Sequence, residues 1–140
     1  VCVTQPAQFA EWLAHFGPEH LVAALDVAIG EDGVPMPRTH GWTKGAKQNL
    51  WELLDFYSDK GLRHVLCTDI GRDGALAGPN HELYRQIAAR HPELELQASG
   101  GVRGLLDLRQ LSTTGAASAI VGKALLEGCF TVAEAIEALS

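Results

Sequence analysis

Apolar positions along the chain fall into two alternating kinds of run. Short continuous runs at Leu21–Val27, His64–Thr68, Leu94–Ala98 and Ala119–Val121 have the length of strands. Between them apolar residues recur at helical spacing. Phe9, Trp12, Leu13 and Phe16 form one such face, and Leu50, Leu53, Leu54 and Tyr57 another. Leu83, Ile87 and Ala88 form a third, and a fourth helix is expected near Leu105–Leu111. Because Leu21–Val27 is apolar at nearly every position, it predicts a strand buried on both faces.

The punctuation agrees with this division. Thr4 is the expected N-cap of the first helix, Pro6 suits its first turn, and Gly17-Pro18 stops it. Gly61 ends the helix expected over Asn49–Lys60, and Pro79-Asn80 opens the next. A short helix is expected from about Lys123, and Thr131-Val-Ala-Glu134 is a capping-box pattern opening the last one. The polar stretch from Ala28 to Lys47 contains Glu31-Asp32-Gly33, a hairpin signal.

Strand followed by helix, four times over, predicts an α/β fold with a parallel sheet and right-handed crossovers. Four such units make half of a (β/α)8 barrel of the TIM type, which typically runs to about 250 residues. Strands are expected near residues 21–27, 64–69, 94–98 and 119–122, in one domain over residues 1–140. The opening VCVTQP has no initiator methionine and reads as the end of a strand and its loop, so a piece of a longer protein is expected.

Composition narrows the partners. A net charge of −6 without a basic run argues against a nucleic-acid surface. No apolar stretch approaches the roughly 20 residues needed to span a bilayer, and no signal peptide is visible, so a cytoplasmic protein is expected. Cys2, Cys67 and Cys129 follow neither a zinc spacing nor a disulfide framework, and Cys67 reads as a small buried hydrophobe. The six histidines form no pair at metal spacing, so no metal is inferred.

Chemistry-bearing residues cluster where the strands end. Asp26 closes the first apolar run, and an acid at a strand's C-terminal end in this architecture points to acid–base work. Thr68 precedes Asp69 at the second strand end, where its hydroxyl can meet either a substrate or a neighbouring backbone group. Asp69 and Asp73 flank Arg72. Asp73-Gly74 is also a turn dipeptide, so a loop-shaping role stands beside a functional one. Ser99-Gly100-Gly101 and Val121-Gly122-Lys123 each follow a strand and precede a helix. Two such glycine turns on successive final strands suggest an anion cradle, since backbone amides approach phosphate closely there. Trp42, in the long polar loop, covers a ring-bearing substrate or packs the loop. Trp12 and Trp51 read as packing residues.

Together LVAALDV, the GW loop, HVLCTDIGRDGALAG, SGGV and IVGKALLEGCFTVAEAI resemble the C-terminal half of the histidine-biosynthesis isomerase family. The resemblance covers essentially the whole chain, with the motifs in order. It implies conversion of phosphoribosylformimino-5-aminoimidazole carboxamide ribotide (ProFAR) to its ribulosyl isomer, an Amadori rearrangement without cofactor or metal. By motif, Asp26 matches the general acid and Thr68 the assisting threonine. Asp73 matches an acid lining the pocket, and Trp42 the loop aromatic near the substrate. Gly100, Gly101, Gly122 and Lys123 match one of two phosphate cradles. The resemblance further implies an N-terminal half-barrel as partner, a monomeric full-length form and a phosphorylated small-molecule substrate. The family's other catalytic aspartate and second cradle lie outside these motifs, so the 140 residues alone are expected to be inactive. Ala75 departs from the family, which commonly has threonine there. The cyclase subunit of imidazole glycerol phosphate synthase, a bifunctional isomerase also accepting phosphoribosylanthranilate, and a non-catalytic phosphate-binding half-barrel are the competing readings.

Overall fold

Each apolar run becomes a strand, and each periodic segment a helix. The computed structural model describes residues 1–39 and 44–140. The elements run α1 (Pro6–Phe16), β1 (Val22–Ile29), β2 (Pro35–Thr39), β3 (Lys44–Gly45), α2 (Leu50–Asp59) and β4 (His64–Asp69). They continue with α3 (His81–Arg90), β5 (Glu95–Ser99), α4 (Leu105–Leu111), β6 (Ser118–Ile120), α5 (Lys123–Leu126) and α6 (Val132–Leu139). The six strands form one sheet in the order β3-β2-β1-β4-β5-β6. β1, β4, β5 and β6 are parallel, and β2 returns antiparallel on β1 through the turn at Gly30–Val34, where Gly33 takes φ +76°. This is the α/β architecture of a partial TIM-type barrel, with an antiparallel hairpin added at the edge.

Strand boundaries shift by one or two residues from the expected ones, and β6 stops at Ile120, leaving Val121 and Gly122 in the turn beyond it. The first helix is capped differently from expectation. Its N-cap is Gln5, with no side-chain cap, while Pro6 does occupy the first turn. Thr131 caps the last helix as read, and Asn49, expected as the first residue of its helix, is instead its N-cap. Asn49 and Glu52 form a reciprocal capping box, as do Thr131 and Glu134, and the Asn80 side chain accepts from the Leu83 N–H.

Burial alternates along the strands. Ala23, Leu25 and Val27 of β1, Val65 and Cys67 of β4, and Leu96 and Ala98 of β5 are buried in one apolar cluster with Leu50, Leu54, Tyr57, Tyr84 and Ile87. The intervening residues face the other way. Val22 and Ile120 are each 43% exposed, and Ala24 is exposed as well. β1 is therefore covered on one face only, not on both as its apolar run predicts. Val22 and Ala24 stay exposed on the second face, although a parallel sheet is ordinarily covered on both sides. Trp12 and Phe16 are also more exposed than their helical spacing suggests. Phe9 and Leu13 alone anchor α1 in the core. Trp51 packs against α3, with the Arg90 guanidinium 4.1 Å from its ring centre.

Candidate active site

Register decides which side chains meet on the open face. Asp26 pairs with Thr68, Thr68 with Ser99, and Ser99 with Ile120. These four positions form one row across four parallel strands, near their C-terminal ends, and share the open face because side chains alternate with a period of two. Adjacent strands lie about 4.8 Å apart, so the Asp26 and Thr68 side chains stand next to each other. Thr68 is 6% exposed and Asp26 is half-buried.

Beyond the row, the loops after β4, β5 and β6 enclose a cavity of about 100 Å³. Asp73, Gly100, Gly101, Gly122 and Lys123 all line it, with Ser99 and Ile120 at its floor. Five of the eight sequence-predicted residues therefore converge on one cavity, and Thr68 and Asp26 lie one and two strands from Ser99 at its floor. Trp42 lies outside the described residues.

The three glycines differ in what holds them. Gly100 and Gly101 take φ of +99° and +88°, a backbone region that favours glycine. A Cβ on Gly100 would sit 3.0 Å from the Asp69 carbonyl oxygen, and one on Gly101 only 2.5 Å from that of Gly78. Both are thus required by the packing of the β4 and β5 loops, whatever they bind. Gly122 has φ −112°, and a Cβ there would meet nothing within 4 Å. Packing gives no reason for glycine at 122. The space in front of its backbone is open.

The β4 loop is tied down on several sides. The Gly78 N–H donates to the Gly101 carbonyl at 2.9 Å, and Arg72 Nη1 donates to the Gly78 carbonyl at 3.2 Å. Lys123 Nζ donates to the Gly74 carbonyl at 3.0 Å, joining the β6 turn to the residue after Asp73. Leu76 takes φ +49°, the one positive φ of a non-glycine residue among those described, and it too lines the cavity. The Tyr84 hydroxyl donates to the Ser99 carbonyl from a fully buried position, and burial pushes that hydroxyl's pKa up. After β5, Arg103 holds the buried Asp107 carboxylate through Nε at 3.0 Å and Nη2 at 2.8 Å, and the Arg103 N–H adds a third bond. The Arg103 hydrogen bonds hold the Asp107 carboxyl below its usual pKa.

Local sequence leaves a loop-shaping and a functional role open here, the family resemblance points to Asp73, and the fold separates it from Asp69. Asp73 lines the cavity, whereas Asp69 is 4% exposed and its carboxylate is engaged by the loop's own backbone and by Asn80. Tyr84 and Arg103 are not among the residues that sequence reasoning singles out. Their parts depend on which loops touch, and no local signal carries that. Among the described residues no group of three or more histidine, cysteine or acidic side chains gathers as a metal site requires, and no helix is long and apolar enough to cross a membrane.

The family described as "Histidine biosynthesis protein" matches residues 1–131. A relative from Klebsiella pneumoniae subsp. pneumoniae is named 1-(5-phosphoribosyl)-5-((5-phosphoribosylamino)methylideneamino) imidazole-4-carboxamide isomerase. It is 48% identical over 135 residues, covering 96% of this chain and 55% of the relative. Relatives of the same name from Alteromonas mediterranea and Colwellia psychrerythraea are 46% and 43% identical over 136 residues, covering 56% and 52% of their own lengths. The chain spans about half the length of the curated relatives it matches. With a family match over nearly its whole length, the chain belongs to the histidine biosynthesis protein family.

Proposed function

We propose that this chain is the C-terminal half of a (β/α)8 isomerase that converts ProFAR to its ribulosyl isomer in histidine biosynthesis. The observation that carries the reading is the Asp26–Thr68 pair, side by side in one row beside a glycine-lined cavity. The names of the relatives support the same reaction. So does the uncovered sheet face, which suits a second half-barrel closing over it.

In this reading the cavity holds one phosphate of the substrate through the amides around Gly100, Gly101 and Gly122. Asp26 donates a proton to the ribose ring oxygen as the C1–O bond breaks, leaving a protonated imine at C1, and the Thr68 hydroxyl steadies the opening ring by a hydrogen bond. A carboxylate base from the other half takes the C2 proton, giving an enolamine. Tautomerisation of the enol returns a proton to C1 and leaves the ketone at C2. The proton gained at the ring oxygen and the one lost from C2 leave composition unchanged, so no oxidant or cofactor is consumed. Asp73 faces the bound sugar, and Trp42 covers the substrate's ring. The complete enzyme works as a monomer in the cytoplasm.

The test is absorbance-followed ProFAR isomerisation by the 140-residue chain alone and joined to a first half-barrel. Turnover is expected only in the joined form, and Asp26→Asn is expected to remove it. Turnover by the isolated chain would mean that the half supplies its own base. No turnover in either form would favour the cyclase or a purely phosphate-binding role.

A further inference from the structure

The loop between β4 and α3 carries Asp73, Gly74 and Leu76 into the cavity, and both of its ends meet at one carboxylate. Asp69 Oδ1 accepts the Gly71 N–H at 2.9 Å, and Asp69 Oδ2 accepts Asn80 Nδ2 at 2.8 Å. The Asn80 oxygen in turn accepts the Leu83 N–H at 3.1 Å, capping α3. The Asp69 carbonyl also accepts the N–H groups of Arg72 and Asp73, both at 3.0 Å. One residue thus closes the neck of a ten-residue loop and fixes the backbone at Asp73.

We propose that the Asp69–Asn80 pair is a positioning clamp that sets where Asp73 stands in the site, and that it works only with one carboxylate and one amide in the pair. The proposal rests on the reading of Asp73 as an acid facing substrate. Its logic is a donor–acceptor count. The two ends of the chain, the Gly71 and Leu83 N–H groups, are both donors, so each side chain must offer one acceptor outwards. Between the two side chains a single donor is needed. A carboxylate facing an amide satisfies all of this, in either order. Two amides leave either a donor facing a donor or the cap unmade, and two carboxylates set acceptor against acceptor. The burial of Asp69 makes each mismatch costly. Leu76, held at positive φ within the same loop, shows that the loop's conformation is imposed from its anchors and not chosen locally.

The experiment inverts the pair. Asp69→Asn, Asn80→Asp and the double variant are made in the chain joined to a first half-barrel, and kcat and KM are measured for isomerisation. A positioning error near 1 Å can slow chemistry about a hundredfold. Each single variant is therefore expected to lower kcat about 10- to 100-fold with KM within about threefold, and the double variant to return kcat to within about threefold of the parent. In the 140-residue chain itself, exchange of the Gly71 and Asp73 amide protons should quicken in both single variants and slow again in the double. If a single variant fails to fold, recovery of a folded double variant is the expected result. Single variants with parental kcat, or a double variant no better than the worse single, would overturn the clamp. An inactive parent with the exchange pattern intact would instead remove the isomerase reading and leave the clamp standing.

Discussion

Gly101 and Gly122 line the same cavity yet should answer very differently to the same methyl group. Gly101→Ala places a Cβ 2.5 Å from the Gly78 carbonyl oxygen and 3.0 Å from the Arg72 Cβ, in a backbone held at φ +88°. The left-handed conformation costs an alanine about 1–2 kcal/mol. Relieving the clash must also part the Gly78–Gly101 and Arg72–Gly78 hydrogen bonds, each contributing about 1 kcal/mol. A loss of roughly 3–4 kcal/mol follows, which for a chain of this size is a fall of about 10–15 °C in Tm. Gly122→Ala meets nothing within 4 Å at negative φ, so its stability should stay within about 1 kcal/mol of the parent. Its methyl group would instead occupy the space where the anion is read to sit. Thermal unfolding followed by circular dichroism and titration with inorganic phosphate, both on the 140-residue chain, separate the two effects. Gly122→Ala should keep the parental Tm and lose at least about tenfold in phosphate affinity, about 1.4 kcal/mol. Equal phosphate affinity in Gly122→Ala and parent would refute the cradle. A Gly101→Ala Tm within about 2 °C of the parent would refute the packing argument.

Other substitutions probe the frame around the site. Asp107→Asn should destabilise the chain by about 2 kcal/mol at neutral pH, since Arg103 loses its charge-assisted bonds, and urea unfolding measures this. The folded carboxyl ionises below its ordinary value of 3.8. Its contribution is therefore complete above about pH 4 and lost as pH falls through the folded pKa, so parent and variant should converge in strong acid. Tyr84→Phe leaves the Ser99 carbonyl short of a donor beside the cavity and should cost about 1–2 kcal/mol in the same assay. A thiol reagent should modify Cys129 quickly, Cys2 slowly and Cys67 only on unfolding. Cys129 is exposed, Cys2 is half-buried, and burial raises the pKa of the Cys2 and Cys67 thiols.

The strand ends were legible because the physics that makes them is local. An apolar run, an acid or glycine pair and a helix signal follow within a few residues, and Asp73, Gly100, Gly101, Gly122 and Lys123 do meet in one cavity. Local pattern did not separate Asp69 from Asp73, which the family resemblance alone singled out, since the structural difference lies in Asn80 returning to Asp69 across the loop. Nor did it separate Gly101 from Gly122. Each follows a strand, and only the approach of Gly78 makes one of them sterically obligatory. Thr4 was misread as a cap because Gln5, with no capping side chain, takes that place. The apolar content of β1 promised two covered faces. In the fold one is covered by this chain's helices, and Val22 and Ala24 look out from the other.

That open face explains why binding and turnover should part company in this chain. The glycine-lined cavity is built from loops that all lie within the 140 residues, and its walls are fixed by the Gly78, Arg72 and Lys123 bonds. Asp26, by contrast, is only half-buried and shares its sheet face with the exposed Val22 and Ala24. A charge interaction at 4 Å is worth about 1 kcal/mol in bulk water and about 4 kcal/mol at an effective dielectric of 20. An acid helping a ring open in water therefore forgoes about 3 kcal/mol per such interaction, roughly a hundredfold in rate. The base is proposed to lie in the other half, and its absence adds a further loss. On the proposed reading, the isolated chain should bind phosphate with nearly the affinity of the joined form and yet fail to turn over ProFAR. An affinity that rises steeply on joining would place the anion site across both halves instead.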